Sequence, residues 1–212
     1  MTAPREISRD VPVQDQMSAD APLKLIEWAL AQNAPAIATT SFSPYASVLL
    51  HMVTRVSPDL PVVWMDSGYA TPATYRYIDE VVRRLKLNLK VYHPRRSRAH
   101  REAVDGPVPD IEDPRHEIFT REVKIEPFER ALAELKPGYW ITGLRSEETE
   151  VRAKMEAVTT NADGIVKVAP LLGWTSRDLF QYIKKFGLPN NFDYYDPTKG
   201  EEDRECGLHL AH

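Results

Sequence analysis

Cysteine is almost missing: the 212 residues contain one, Cys206. A single thiol excludes an internal disulfide and a cysteine-built metal cage within the chain. A reducing compartment suits such a chain, and there a lone thiol stays free. Long hydrophobic runs are missing too. None approaches the roughly 20 residues that span a bilayer, and residues 1–21 mix charge with proline where a secretory signal would be apolar. The expectation is a cytoplasmic protein without a membrane partner. Positive charge is not in excess, since the formal net charge is -4. No global basic field draws the chain to nucleic acid, so an anionic ligand must be met by a local cluster. Repeats and low-complexity tracts are absent. No Gly-Lys-Ser/Thr follows a strand, which excludes a Walker loop.

What is present suits one compact domain, with 42% hydrophobic residues over 212 positions. Short apolar runs at 36–40, 62–66, 89–93, 139–143 and 165–169 read as buried strands. Helical patterns fill most of the gaps, at 22–32, 46–56, 72–87, 127–135 and 176–186. This alternation predicts an α/β fold: a mostly parallel, twisted sheet with helices on both faces. The charged stretch 95–122 reads as an irregular, mobile excursion. Turn formers dominate from Leu188, which predicts an extended tail. The expected organisation is an extension over 1–20, the α/β domain over 21–188 and a flexible tail over 189–212.

Active sites of parallel sheets gather at the carboxyl ends of the strands. After the first strand comes "TTSFSPYAS" (39–47) and then a helix. Hydroxyls and free N–H groups at a helix N-terminus suit phosphate or sulfate, but Ser and Thr also serve as ordinary caps. After the second strand stands Asp66-Ser67-Gly68-Tyr69, able to touch a ligand or merely to cap the helix that Pro72 opens. Residues 83–101 hold eight basic and no acidic side chains. That run reads first as a solvated face, balanced by Glu102, Asp105, Asp110, Glu112 and Asp113. Further on, Gly143 follows a strand, and Arg145 and Arg152 are seven residues apart. On a helix that spacing is about two turns, with both guanidiniums on one side, where they suit a phosphate-sulfate group. Glu147, Glu148 and Glu150 offer them ordinary pairing instead.

The tail reads Arg204-Glu205-Cys206-Gly207-Leu208-His209. A structural cysteine is usually buried in a core element, whereas this one stands in a polar, glycine-containing segment. A nearby cation lowers a thiol's pKa from about 8.5. Arg204 or His209 supplies one and Glu205 opposes it, so Cys206 is a candidate nucleophile.

Together these residues resemble the sulfonucleotide reductases, the phosphoadenylyl-sulfate (PAPS) and adenylyl-sulfate (APS) reductase family. "RECGLHL" resembles the family's C-terminal signature, and "TTSFSPYASVLLH" its modified pyrophosphate loop. "MDSGYATPATYRYID" and "LKLNLKVY" are similar to its second strand, helix and third strand. "VKIEP" resembles the segment with its active-site lysine, and "GLRSEETEVRA" its arginine motif. The resemblance implies a fold like the pyrophosphate-loop adenine-nucleotide hydrolases. It implies Cys206 as nucleophile on the sulfo group, an enzyme S-sulfocysteine, and reduced thioredoxin (or glutaredoxin) as electron donor. Lys124, Arg145 and Arg152 would neutralise the phosphate-sulfate, with His209 a local helper. Ser41, Phe42, Ser43, Asp66, Ser67, Gly68 and Gly143 would line the nucleotide site, and Lys199 and Arg204 would come onto the ligand.

This chain departs from the family pattern in two places, and its cysteine content bears on the subfamily. Ser43 stands where the family's loop usually has glycine. The stretch between Leu188 and the thiol motif is short, with Lys199 and Arg204 its only Lys or Arg residues. The Cys-Cys and Cys-x-x-Cys pairs that hold the APS reductases' iron–sulfur cluster are absent, which favours the cluster-free PAPS class without a bound cofactor. A homodimer, an APS reductase without a cluster, a pyrophosphate-loop ATP enzyme and a non-catalytic nucleotide-binding relative stay open. Because a dithiol protein is too bulky for a nucleotide cleft, the tail from about Pro189 is expected to swing between a docked and an exposed position.

Overall fold

The structure, a computed structural model, describes residues 20–199. Arg204, Cys206 and His209 lie outside the described residues, as does most of the extension expected over 1–20. Along the chain run α1 (Ala21–Leu30), β1 (Ala36–Thr39), α2 (Ala46–Val56), β2 (Pro61–Met65), α3 (Pro72–Leu85) and β3 (Asn88–Tyr92). Then come α4 (Arg98–Asp105), α5 (Arg115–Thr120), α6 (Glu126–Leu135), β4 (Tyr139–Ile141), β5 (Val158–Thr160), β6 (Val166–Val168) and α7 (Ser176–Phe186). The sheet order is β3-β2-β1-β4-β6-β5, parallel except for β5 against β6.

Alternation along each strand feeds two cores. Ala38, Val62, Trp64, Ile141, Val166 and Val168 face one layer, where they meet Leu25 and Ile26 of α1, Leu50 and Val53 of α2, Ile78 and Val81 of α3, and Leu179 of α7. Ile37, Val63, Tyr92 and Trp140 face the other, against Phe128 and Ala131 of α6. Helices therefore cover both faces, as the pattern predicts. Chain order reverses at β1: β2 and β3 lie to one side, β4 and β6 to the other. At such a switch point the loops leaving β1 and β4 part and open a crevice.

Three expectations need correction. Residues 95–122 are structured, carrying α4, α5 and the start of a π-helical turn over Arg121–Ile125. The acids that balance this stretch also shape it: Arg96 pairs with Asp105 and Glu122 at 2.7 Å each, and Arg98 with Glu102 at 2.9 Å. The second correction is β5, too short and too polar to stand out in sequence. The third concerns the tail. Residues 189–199 lack regular structure but are tied to the domain by long-range polar contacts, so its packed part runs past 188. Ser47 Oγ donates to the Pro189 carbonyl at 2.7 Å, and the Tyr45 N–H donates to Asn190 Oδ1 at 2.7 Å. The hydroxyls of Thr71 and Thr74 donate to the Asp193 carbonyl at 2.9 and 2.7 Å. This strap crosses the carboxyl ends of β1 and β2.

Candidate functional site

The crevice at the switch point is a cleft of about 600 Å³, lined by the segments after β1, β2 and β4, by Lys124 and by residues 192–199 of the strap. The loop after β1 brings Thr40, Ser41 and Ser43 to its wall. Phe42 does not line it. Its ring is fully buried, edge-on to Trp64 at 5.5 Å and to Tyr77 at 6.3 Å, because an aromatic side chain on this loop gains more from the core than from a polar cleft. The left-handed backbone positions are Phe42 (φ 53°) and Tyr45 (φ 67°), on either side of Ser43. Serine at 43 is thus free of the strain that would demand glycine there. Several N–H groups of this turn are already used: Phe42 on Thr40 Oγ1 at 3.0 Å, Tyr45 on Asn190, Ala46 on the Ser43 carbonyl at 3.1 Å, and Ser47 on the Tyr77 hydroxyl at 3.2 Å.

After β2, Asp66 and Ser67 line the cleft, while Gly68 lies outside its wall. Asp66 organises the turn, accepting from the Gly68 N–H and the Tyr75 hydroxyl at 2.9 Å each. Gly68 has φ +83°, and a Cβ there would meet Arg98 Cβ at 3.4 Å, so its role is to shape the loop. Gly143, directly after Thr142, does line the cleft.

Lys124 reaches the cleft through the π-turn. The Glu126 N–H bonds the Arg121 carbonyl five residues back, and Pro127, lacking an N–H, cannot restore the α pattern one residue on. The wider turn lets three successive residues serve three places. Val123 packs with Tyr69 and Phe119, Ile125 joins the core under α6, and Lys124 enters the cleft. There its ammonium donates to Asp196 Oδ2 at 2.5 Å and Thr198 Oγ1 at 3.1 Å. Burial pushes the Asp196 carboxyl up, yet Lys124 and Thr198 outweigh it and hold the group below the usual carboxylate range.

The arginines approach each other without the helix that their spacing suggested. Residues 146–148 and 152–154 form two short 3-10 turns, broken apart by an extended Thr149. Arg145, 12% exposed in its side chain, bonds Glu147 at 3.0 Å, Glu148 at 3.2 Å and Ser176 Oγ at 3.2 Å. Arg152, 4% exposed, pairs with the same Glu148. Glu147 also accepts the Ser176 N–H at 2.7 Å, fixing the start of α7. Both arginines line the cleft, and each carries a carboxylate partner. Lys199 lines the cleft as well.

Sequence reading missed Asp196, Thr198 and Tyr45. An Asp-Pro-Thr triplet does signal a local turn, since Asp196 Oδ1 accepts the Thr198 N–H at 3.0 Å. The partner 72 residues away left no trace in the pattern. Among the described residues, no group of three or more His, Cys, Asp or Glu is placed to hold a metal ion, and no helix is long and apolar enough to cross a membrane.

Residues 35–195 match the family model of the phosphoadenosine phosphosulfate reductase domain. Two curated relatives, each named phosphoadenosine 5'-phosphosulfate reductase, are 36% identical. The one from a Synechococcus strain covers 93% of this chain and 96% of its own length. The one from Salmonella choleraesuis covers 87% and 84%. A solved PAPS reductase from Candida auris, in a phosphate complex, superposes with TM-score 0.70 at 23% identity, over 81% of this chain and 82% of its own. The NH3-dependent NAD synthetase of Campylobacter jejuni shares the fold more distantly, with TM-score 0.56 at 11% identity over 81% and 72%.

Proposed function

This chain belongs to the phosphoadenosine phosphosulfate reductase family, and from that premise we propose that it reduces PAPS to sulfite and adenosine 3',5'-bisphosphate. One observation carries the reading. In a chain of net charge -4, Lys124, Arg145 and Arg152 line a single cleft beside the hydroxyl-bearing loop after β1. Such a cluster suits the phosphate-sulfate end of a sulfonucleotide, with Arg able to grip oxygen pairs and Lys acting as a point charge.

In the proposed reaction the Cys206 thiolate attacks the sulfo sulfur. An S–S bond forms, the S–O bond to the phosphate breaks, and its electron pair leaves with the bisphosphate. Lys124, Arg145 and Arg152 stabilise the charge that develops on that leaving group; one such contact typically contributes about 3 kcal/mol at the transition state. A dithiol protein, thioredoxin or glutaredoxin, then attacks the cysteine sulfur of the adduct. Sulfite departs with the S–S electron pair, and the second thiol closes a disulfide in the donor. Ser41, Ser43, Asp66, Ser67 and Gly143 line the nucleotide pocket, Arg204 approaches the ligand, and His209 and Arg204 favour the thiolate. No bound cofactor takes part. The setting is assimilatory sulfate reduction toward cysteine, in the cytoplasm.

Intact-mass analysis after incubation with PAPS tests this. The expected result is one sulfo group on Cys206, chased to sulfite by reduced thioredoxin and absent from Cys206→Ser. A protein that gains no adduct and releases no sulfite, from PAPS or from APS, is not such a reductase.

A further inference from the structure

The cleft's cations are matched by carboxylates of the chain itself, but those carboxylates are not equally free to leave. Glu147 and Glu148, whose side chains are 50% and 34% exposed, can rotate into water. Asp196 is 9% exposed in its side chain. Its other oxygen accepts the Thr198 hydroxyl at 2.6 Å and N–H at 3.0 Å. Thr198, buried, is in turn held by His116 Nε2 at its carbonyl, 3.4 Å away. The Asp196 carboxylate therefore cannot leave Lys124 without moving the backbone of 196–199.

We propose that Asp196 is a specificity-determining residue, a resident anion that an incoming ligand must displace from Lys124. It sets how much negative charge a ligand must bring, and it ties the arrival of that charge to movement of the strap. The proposal rests on the reading of Lys124 as a ligand contact. Two anions on one ammonium repel, so a ligand phosphate or sulfate gains Lys124 only as Asp196 gives it up. The gain is then the difference between two ion pairs rather than the whole of one. Ligands with a strongly charged diphosphate-like group pass this threshold, and weakly charged ones do not.

Inorganic pyrophosphate is the probe, titrated by calorimetry into the full chain. Asp196→Asn keeps an acceptor for Thr198 and removes the charge, and it should bind pyrophosphate about tenfold more tightly, within the usual span of such couplings. The gain should vanish in an Asp196→Asn, Lys124→Ala double variant compared with Lys124→Ala alone. In the unaltered protein, pyrophosphate should speed tryptic cleavage after Lys199 relative to sodium chloride of equal ionic strength. This measurement stands even if Asp196→Asn does not fold. Equal or weaker binding by Asp196→Asn, or cleavage unchanged or slowed by pyrophosphate, overturns the proposal. If Lys124→Ala still loses affinity, the reading of Lys124 survives that failure. If Lys124→Ala binds as well as the unaltered protein, both readings fall.

Discussion

Frame and strap are held by different forces. In the frame, Leu25, Phe128 and Trp140 are fully buried and packed between helix and sheet. Across the mouth, residues 189–199 expose Phe192 at 69% and Tyr195 at 49%, and their grip comes from Asn190, Asn191, Asp193 and the Asp196–Lys124 pair. Apolar burial is non-directional and cooperative over the whole core. Hydrogen bonds contribute about 1 kcal/mol each and are exchanged readily with water. The frame is thus built to persist, and the strap to be released locally.

The comparison is sharpest where the frame is cut. Phe128→Ala removes a fully buried ring at 4.9 Å from Trp140 and should cost roughly 3–5 kcal/mol of global stability in urea unfolding. Lys124→Ala comes next, because it leaves Asp196 buried without its cation. Roughly 3 kcal/mol is expected from a broken buried pair, but hydrogen exchange should find the loss concentrated in 192–199. A loss spread evenly over the sheet would mean that frame and strap are one unit.

Acid probes the same pair more gently. The folded-state pKa of Asp196 lies below the ordinary carboxylate value. Its contribution is therefore complete above that ordinary value and is lost as pH falls through the depressed one. Protection of the Thr198 and Lys199 amides, relative to their intrinsic exchange rates at each pH, should fall on acidification before protection in β1 and β4 does, and simultaneous loss would contradict the separation. The smallest effect is expected from Asn190→Ala. It removes one neutral hydrogen bond, worth about 1 kcal/mol, and should leave the thermal midpoint almost unmoved while tryptic cleavage after Lys199 quickens.

This division also explains what could be read from sequence. Strand and helix positions follow from local apolar periodicity, so α2 and α7 begin and end where the pattern places them. The Thr40, Ser41 and Ser43 loop was legible because a strand end precedes it. Phe42 entered the expected site only through the family resemblance, and its polar neighbours gave no sign that its side chain belongs to the core. The anchors of the strap were illegible. Asn190 finds Tyr45, and Asp196 finds Lys124, across more than 70 residues of intervening chain, and no local pattern encodes such a meeting.

The π-turn under Lys124 also sets the phase between the helices on either side of it. Each residue of an α-helix advances the azimuth by about 100°, so a turn that holds one residue more than an α-turn offsets α5 from α6 by a fixed angle. Deleting a residue between 121 and 125 would not merely shorten the helix. It would rotate everything upstream by about 100° relative to α6, carrying the Phe119 contact with Tyr69 around the axis. Insertions and deletions here should therefore be far less tolerated than substitutions at the exposed positions beside them.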